Sequence, residues 1–387
     1  MESELFMLLR KPQMLSAHRP TAAHISLEAI YHNVHKEIET IDSDTKVFAV
    51  VKANAYGYGM LEVAHVCLKA GVQGFCVATL DEALILRNNG IAAPVLVLGI
   101  VDARWAALAS SLDISLAVGD IEWLKMAEPY LEAEKLKIHL ALDTGMGRIG
   151  FQSPAEFKNA ENYIRLHTKK FDFSGVFTHF ATADGLKQTY FDEQCKRWHQ
   201  FMQVLTLHPK YIHVSNTATS LFHAECNGNM IRLGMGIYGL DPSDGELELP
   251  YTLEPALRLT TKLSFVKYLS AGKSISYGAT YTAKKDEWIG TLPIGYADGY
   301  PRCLQGFHVL IDNQFCEIVG RICMDQFMVR LPHKYDVNTP VVLIGSDGDK
   351  KITVQAIAKY AKTAQCEVVT RLGPRVPRIY EESSEFL

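Results

Sequence analysis

Eight short apolar runs of β type dominate the first 240 residues and limit what the chain can fold into. They are KVFAVV (46–51), GFCVAT (74–79), PVLVLG (94–99), DISLAV (113–118), KIHLAL (137–142), FSGVFTHF (173–180), YIHVSN (211–216) and MIRLGMGIYG (230–239). The intervals between them are mostly long enough for a helix, and several carry helical patterning. LDEALILRNNG (80–90) has acid in its first turn, apolar Ala83, Leu84 and Leu86, and Gly90 as a stop signal. Strand and helix alternating eight times predict an α/β fold, a (β/α)8 TIM-like barrel rather than an open sheet.

After DPSDGELELP (241–250), a connector rich in turn formers and acid, the texture changes. ALRLTTKLSFVKYL, EWIGTLPIG, FHVLIDNQFCEIVGRI and PVVLIG follow closely, with one helical pattern, TVQAIAKYAK. Asp312-Asn313 between two strand-like runs predicts a hairpin. The reading is an N-terminal extension (1–15), a barrel (16–248) and a C-terminal mostly β domain (249–387).

Composition excludes several functions. Hydrophobic residues at 48% and charged residues at 21% describe a globular chain, and a net charge of -4 argues against nucleic acid or anionic membrane as a partner. No apolar run is long enough to span a bilayer. The opening MESELFMLLRKPQ carries Glu2 and Glu4 before its apolar run, unlike a signal peptide. The eight cysteines form no C-x-x-C pair, so no zinc or thioredoxin-like site is expected, and a reduced cytoplasmic protein is.

A barrel carries its chemistry at the C-terminal ends of its strands. There the sequence places Lys52 after the first run, Asp143 and Arg148 after the fifth, and His179 at the end of the sixth. Asn216 and Thr217 follow the seventh, and Arg232 lies inside the eighth. A desolvated lysine at such a mouth can attack an aldehyde and form a Schiff base. Taken locally, a lysine reaching past its strand end to solvent is the commoner case. Arginine in an apolar strand needs a partner or a ligand, and Gly234 and Gly236 beside it leave backbone N–H groups open to an anion. Strand glycines also serve packing alone.

Together AVVKANAYGYG, LDTGMGRIGF, GVFTHFATAD, NTATS, RLGMGIYG, SYGATYTA, WIGTLPIGYADGYPR and GRICMDQ resemble the alanine racemase family, from about residue 20 to 380. The resemblance implies a pyridoxal 5'-phosphate enzyme acting on a small amino acid, L- and D-alanine. It implies a homodimer whose active site is shared across the interface, supplying D-alanine for peptidoglycan. Lys52 matches the lysine that holds the cofactor and Tyr277 the second acid/base. Arg232 matches the arginine facing the pyridine nitrogen. Tyr56, Asn216, Thr217, Gly234 and Met235 match cofactor contacts, with Thr217 where the family usually has serine. Arg148 and Met324 match substrate positions, Met324 coming from the partner subunit. His179 matches a histidine linking Tyr277 to Arg232, a path that would tune the phenol as a base. Without the family, Tyr277 is a turn-flanking strand tyrosine and Met324 is core filler.

Two positions depart from the family pattern. Ala141 stands where a lysine modified by carbon dioxide often steadies the arginine, so another anion or side chain is expected to balance Arg148. Cys366 stands where a tyrosine commonly lies near the phosphate, which implies a differently bonded inner gate. Asp184, Arg302 and Arg321 match polar residues of the substrate corridor. Rival readings are a broad-specificity or serine racemase, a barrel-type decarboxylase, and a non-catalytic pyridoxal-phosphate carrier. The carrier is disfavoured by the second domain with Tyr277 and Met324.

Overall fold

The structure is a computed structural model and describes residues 16–382 apart from 17, 133 and 224–227, so the proposed 1–15 extension lies outside the described residues. Two compact units divide the chain. One comprises Ala29–Ala55 and Gly59–Pro255; the other comprises the stretch through Glu28, Tyr56–Tyr58, and Ala256 onward. The first strand, β1 (Ala22–Ser26), pairs within the second unit.

The larger unit is the eight-stranded parallel barrel. Its strands are β2 (Lys46–Val50), β3 (Gly74–Val77), β4 (Val95–Val97), β5 (Ile114–Val118), β6 (Leu136–Ala141), β7 (Phe171–Phe177), β8 (Tyr211–His213) and β9 (Met230–Leu233). They pair in the order β8-β7-β6-β5-β4-β3-β2-β9. Between β8 and β9 the circle is drawn together by two main-chain bonds, Asn229 N–H to Ile212 O and Arg232 N–H to Ser215 O, both 3.0 Å. Strands covered on both faces read as continuous apolar runs, which is why VFAVV and ISLAV lack alternation. All eight expected strands are present with shifted ends: β7 starts two residues early at Phe171, and the last run gives way after Leu233 to a 3-10 turn at Met235–Tyr238. Helix Leu80–Asn88 opens with a capping box in which Glu82 N–H donates to Thr79 Oγ1 and the Glu82 carboxylate accepts from Thr79 N–H.

The smaller unit is mostly β. It adds β10 (Leu257–Lys262), β11 (Phe265–Leu269), β12 (Ser274–Ile275), β13 (Tyr281–Thr282), β14 (Glu287–Leu292), β15 (His308–Ile311), β16 (Gln314–Val319), β17 (Phe327–Leu331), β18 (Pro340–Asp347), β19 (Lys350–Ile352) and β20 (Arg378–Glu381). The main sheet runs β11-β14-β17-β16-β15-β18-β10-β1-β20. The sequence reading places residues 22–26 with the barrel. Instead β1 lies between β10, antiparallel, and β20, parallel. Thr21 anchors its start through Thr261 Oγ1 at 2.8 Å and Pro293 O at 3.0 Å. The expected hairpin is present: Ile311 pairs with Gln314, and Asp312 and Asn313 take φ 50° and 55°, as a two-residue primed turn requires.

Candidate active site

β2 delivers Lys52 to the C-terminal end of the barrel, and the backbone then does something unusual. Ala53, Asn54, Ala55 and Tyr56 all take φ between 52° and 54°. Four successive non-glycine residues in the left-handed region cost roughly 1–2 kcal/mol each. Side chains offset that cost. Glu82 accepts from Ala53 N–H at 2.6 Å and from Ala78 N–H at 2.7 Å, so the cap of one helix also holds the turn. Asn54 Oδ1 accepts from Met60 N–H at 2.9 Å. Within the smaller unit, Gly57 O accepts from Arg378 Nε at 2.8 Å. A Cβ on Gly57 would stand 2.8 Å from Val369 O, so only glycine fits. Tyr56 and Tyr58 are thereby fixed beside β20, with Tyr56 half-buried.

Arg232 on β9 is 3% exposed and meets no carboxylate among the described residues. Its two terminal nitrogens donate to Thr178 O (2.8 Å), Val214 O (3.0 Å), His213 O (3.1 Å) and His213 Nδ1 (2.5 Å). Guanidinium has five N–H donors, so Nε alone is left without a partner among the described residues. Burial pulls this group down to about 10, still cationic at neutral pH. Because arginine can only donate, His213 Nδ1 must accept and His213 must carry its proton on Nε2. That proton is given to His139 Nδ1 at 2.8 Å, which fixes His139 as the Nε2–H tautomer. Burial, then Arg232, holds His139 at about 3 and His213 well below the usual imidazole range, so both rings are neutral. Phe177 stacks on His213 at 5.0 Å and lies under the guanidinium at 5.5 Å.

His179 is held at about 3 by burial and then by Arg232, Arg148 and Lys52, three cations near one ring. Asn216 Nδ2 lies 3.5 Å from its Nε2. The imidazole bonded to Arg232 is therefore that of His213, which no motif marks and which the sequence signals only by its place at the end of an inward strand. Thr217 is buried, and its hydroxyl accepts from Gly234 N–H at 2.9 Å and Gly236 N–H at 3.4 Å. A Cβ on Gly236 would come within 3.0 Å of Thr217 Cγ2. Met235 follows as the first residue of a 3-10 turn. An amine at a strand end, a guanidinium N–H that the described residues leave unused and a hydroxyl among glycine N–H groups match the aldehyde, ring nitrogen and phosphate of pyridoxal phosphate.

Arg148 is exposed and makes no hydrogen bond or ion pair with a described residue. Ala141 is buried against Ala117 and Phe177 with Ile149 beside it, so no charge stands at position 141, and among the described residues no side chain is ion-paired to Arg148. Asp184 lies exposed in this unit.

In the smaller unit, Ser276, Tyr277, Cys323, Met324, Asp325 and Gln326 line an open cavity of about 430 Å³. Tyr277 and Met324 are 70% and 51% exposed. Asp325 is paired to Arg375 at 2.8 Å. Arg302 and Arg321 are exposed, and Cys366 is a half-buried free thiol in helix Gln365–Thr370.

Residues 25–242 match the family model described as alanine racemase, N-terminal domain, and 256–380 the one described as alanine racemase, C-terminal domain. An alanine racemase of Pediococcus pentosaceus is 57% identical over 370 residues, 96% of this chain and 99% of that relative. A crystal structure of alanine racemase from E. faecalis superposes with a TM-score of 0.92 at 48% identity, covering 94% of this chain and 99% of that one. A histidine racemase from Leuconostoc mesenteroides subsp. sake superposes with 0.89 at 35% identity, covering 95% and 100%. Both units thus carry the sequence and fold of one kind of enzyme, and the chain belongs to the alanine racemase family of pyridoxal-phosphate-dependent isomerases.

Proposed function

We propose that this protein interconverts L-alanine and D-alanine by moving the α-proton with two side chains, Lys52 and Tyr277. The observation that carries the reading is Arg232, a buried cation with four of five donors spent on the barrel and Nε left for a ligand. Lys52 would hold the cofactor's aldehyde carbon and Arg232 Nε would donate to its ring nitrogen. Thr217, Tyr56, Asn216 and the N–H groups of Gly234 and Met235 would hold its phosphate end, with His179 beside them. Bound pyridoxal phosphate supplies an electron sink for the negative charge left at Cα.

Racemisation removes a proton from one face of Cα and returns one to the other, and a single base reaches one face. Lys52 Nζ would serve the D-isomer and Tyr277 Oη the L-isomer. Arg232 would keep its own proton, donating a hydrogen bond to the ring nitrogen without protonating it. Arg148 would orient the substrate carboxylate, and Met324 would border the substrate methyl. The exposure of Tyr277 and Met324 supports a homodimer in which a second copy excludes water from them. A cytoplasmic enzyme supplying D-alanine for peptidoglycan agrees with the seven described cysteines being free thiols.

A wider amino-acid range is the second reading, favoured by the similarity to a histidine racemase. Turnover of alanine, serine and histidine under one set of conditions separates the two. For the main reading, the test is the visible-edge absorbance of the purified protein together with alanine racemisation, each repeated with Lys52→Ala. Loss of both supports it, and racemisation by Lys52→Ala at the unmodified rate sinks it.

A further inference from the structure

Tyr277 sits on a five-residue loop in which three residues take positive φ. β12 and β13 pair through Ser274–Thr282 and Ile275–Tyr281, leaving residues 276–280 as the connection. Ser276 has φ 68° and ψ 174°, Gly278 φ 75° and Ala279 φ 49°. The region that Ser276 occupies is almost entirely glycine's, so a serine there needs a reason. Its side chain supplies one. Ser276 Oγ donates to Arg321 O at 2.5 Å, with Cys323 Sγ 3.8 Å away. Gly320, at φ 73°, makes the room: a Cβ there would stand 2.7 Å from Ser276 Cβ and 3.2 Å from Ile275 O. The segment so engaged, Arg321–Gln326, carries Met324, and its far end is tied by the pair of Asp325 and Arg375. Glycine would take the backbone conformation without cost but has no hydroxyl. A hydroxyl at this point joins the turn bearing Tyr277 to the segment bearing Met324.

We propose that Ser276 is a positioning residue for the proton transfer at Tyr277, its unfavourable backbone being retained for the hydroxyl that fixes where the phenol points. The proposal rests on Tyr277 being the acid/base for L-alanine. A phenol displaced by about 1 Å loses up to roughly a hundredfold in rate without any change in the fold.

Two variants of the holoenzyme separate backbone from hydroxyl. Ser276→Ala keeps the unfavourable backbone and loses the bond; Ser276→Gly relaxes the backbone and loses the same bond. For each, α-hydrogen exchange in deuterium oxide is measured separately from L-alanine and from D-alanine, as maximal rate and KM, with thermal melting alongside. The expected result is a loss of about 10–100-fold in the maximal exchange rate from L-alanine in both variants. Exchange from D-alanine stays within about twofold, and Ser276→Gly melts no lower than the unmodified protein. Retention of L-alanine exchange by Ser276→Gly overturns the proposal, as does an equal fall for both isomers, the mark of a purely structural role. Tyr277→Phe is run beside them. If it leaves L-alanine exchange intact, the assignment of Tyr277 is what fails, and the role of Ser276 falls with it.

Discussion

Replacing Gly175 with alanine would strike the deepest part of the site. Gly175 lies in β7 opposite His139 of β6, and a Cβ there would stand 2.2 Å from His139 Nδ1, 2.5 Å from Cε1 and 2.7 Å from Cγ. The ring is 1% exposed and stacks on Tyr211 at 5.7 Å, so it has nowhere to swing. The atom displaced is also the acceptor for His213 Nε2–H. His213 cannot shift its proton to Nδ1, because Arg232 already points a donor there. The methyl therefore costs about 1–3 kcal/mol in overpacking and leaves a buried donor unpaired for about 1–3 kcal/mol more. Urea unfolding followed by circular dichroism should show the midpoint falling by an amount worth about 2–6 kcal/mol at unchanged slope. Adding Gly175→Ala to His139→Ala should cost little beyond His139→Ala alone, since the clash then has no partner. A Gly175→Ala protein within about 0.5 kcal/mol of the unmodified chain would refute the placement of His139 and with it the tautomer argument for Arg232.

Three histidines also set a pH dependence. His139 and His179 sit at about 3 and His213 well below the usual range, each because of burial first and Arg232 next. The unfolded chain binds protons there near pH 6.5 and the folded one does not, so stability is full above 6.5 and is lost as pH falls toward 3. The slope reaches at most about 1.4 kcal/mol per pH unit per histidine. A ring proton resonance of His139 or His213 titrating near 6.5 would contradict this. Glu37 gives the opposite sign: burial raises its carboxyl while Ser220 and Tyr251 bond it. Stability from that neutral carboxyl is full below about 4.5 and declines as pH rises. Glu37→Gln should therefore gain in urea midpoint relative to the unmodified chain between pH 5 and 8, and a relative loss over that range counts against it.

The barrel was legible because its strands are short continuous apolar runs separated by stretches with helical patterning, each a local signal. β1 was not, since AAHIS is short, and its partners lie far along the chain in β10 and β20. Nothing in Ala-Asn-Ala-Tyr announces left-handed backbone, because the residues that compensate it, Glu82 among them, are distant in sequence. Arg232 could be singled out from sequence as a cation in an apolar strand, but its imidazole partner could not, since His213 ends β8, His179 lies two residues past β7, and only the donor geometry separates them. Tyr277 and Met324 carry no periodic signal at all and were named through family resemblance. Ser276 was invisible, because what marks it is a dihedral angle.

The most direct test of two bases on two faces is α-proton exchange by the Tyr277→Phe holoenzyme in deuterium oxide, followed from each alanine isomer by proton NMR. D-alanine should still exchange its α-proton through Lys52, while exchange from L-alanine and racemisation are both lost. Racemisation at the unmodified rate, or equal exchange from both isomers, would contradict it.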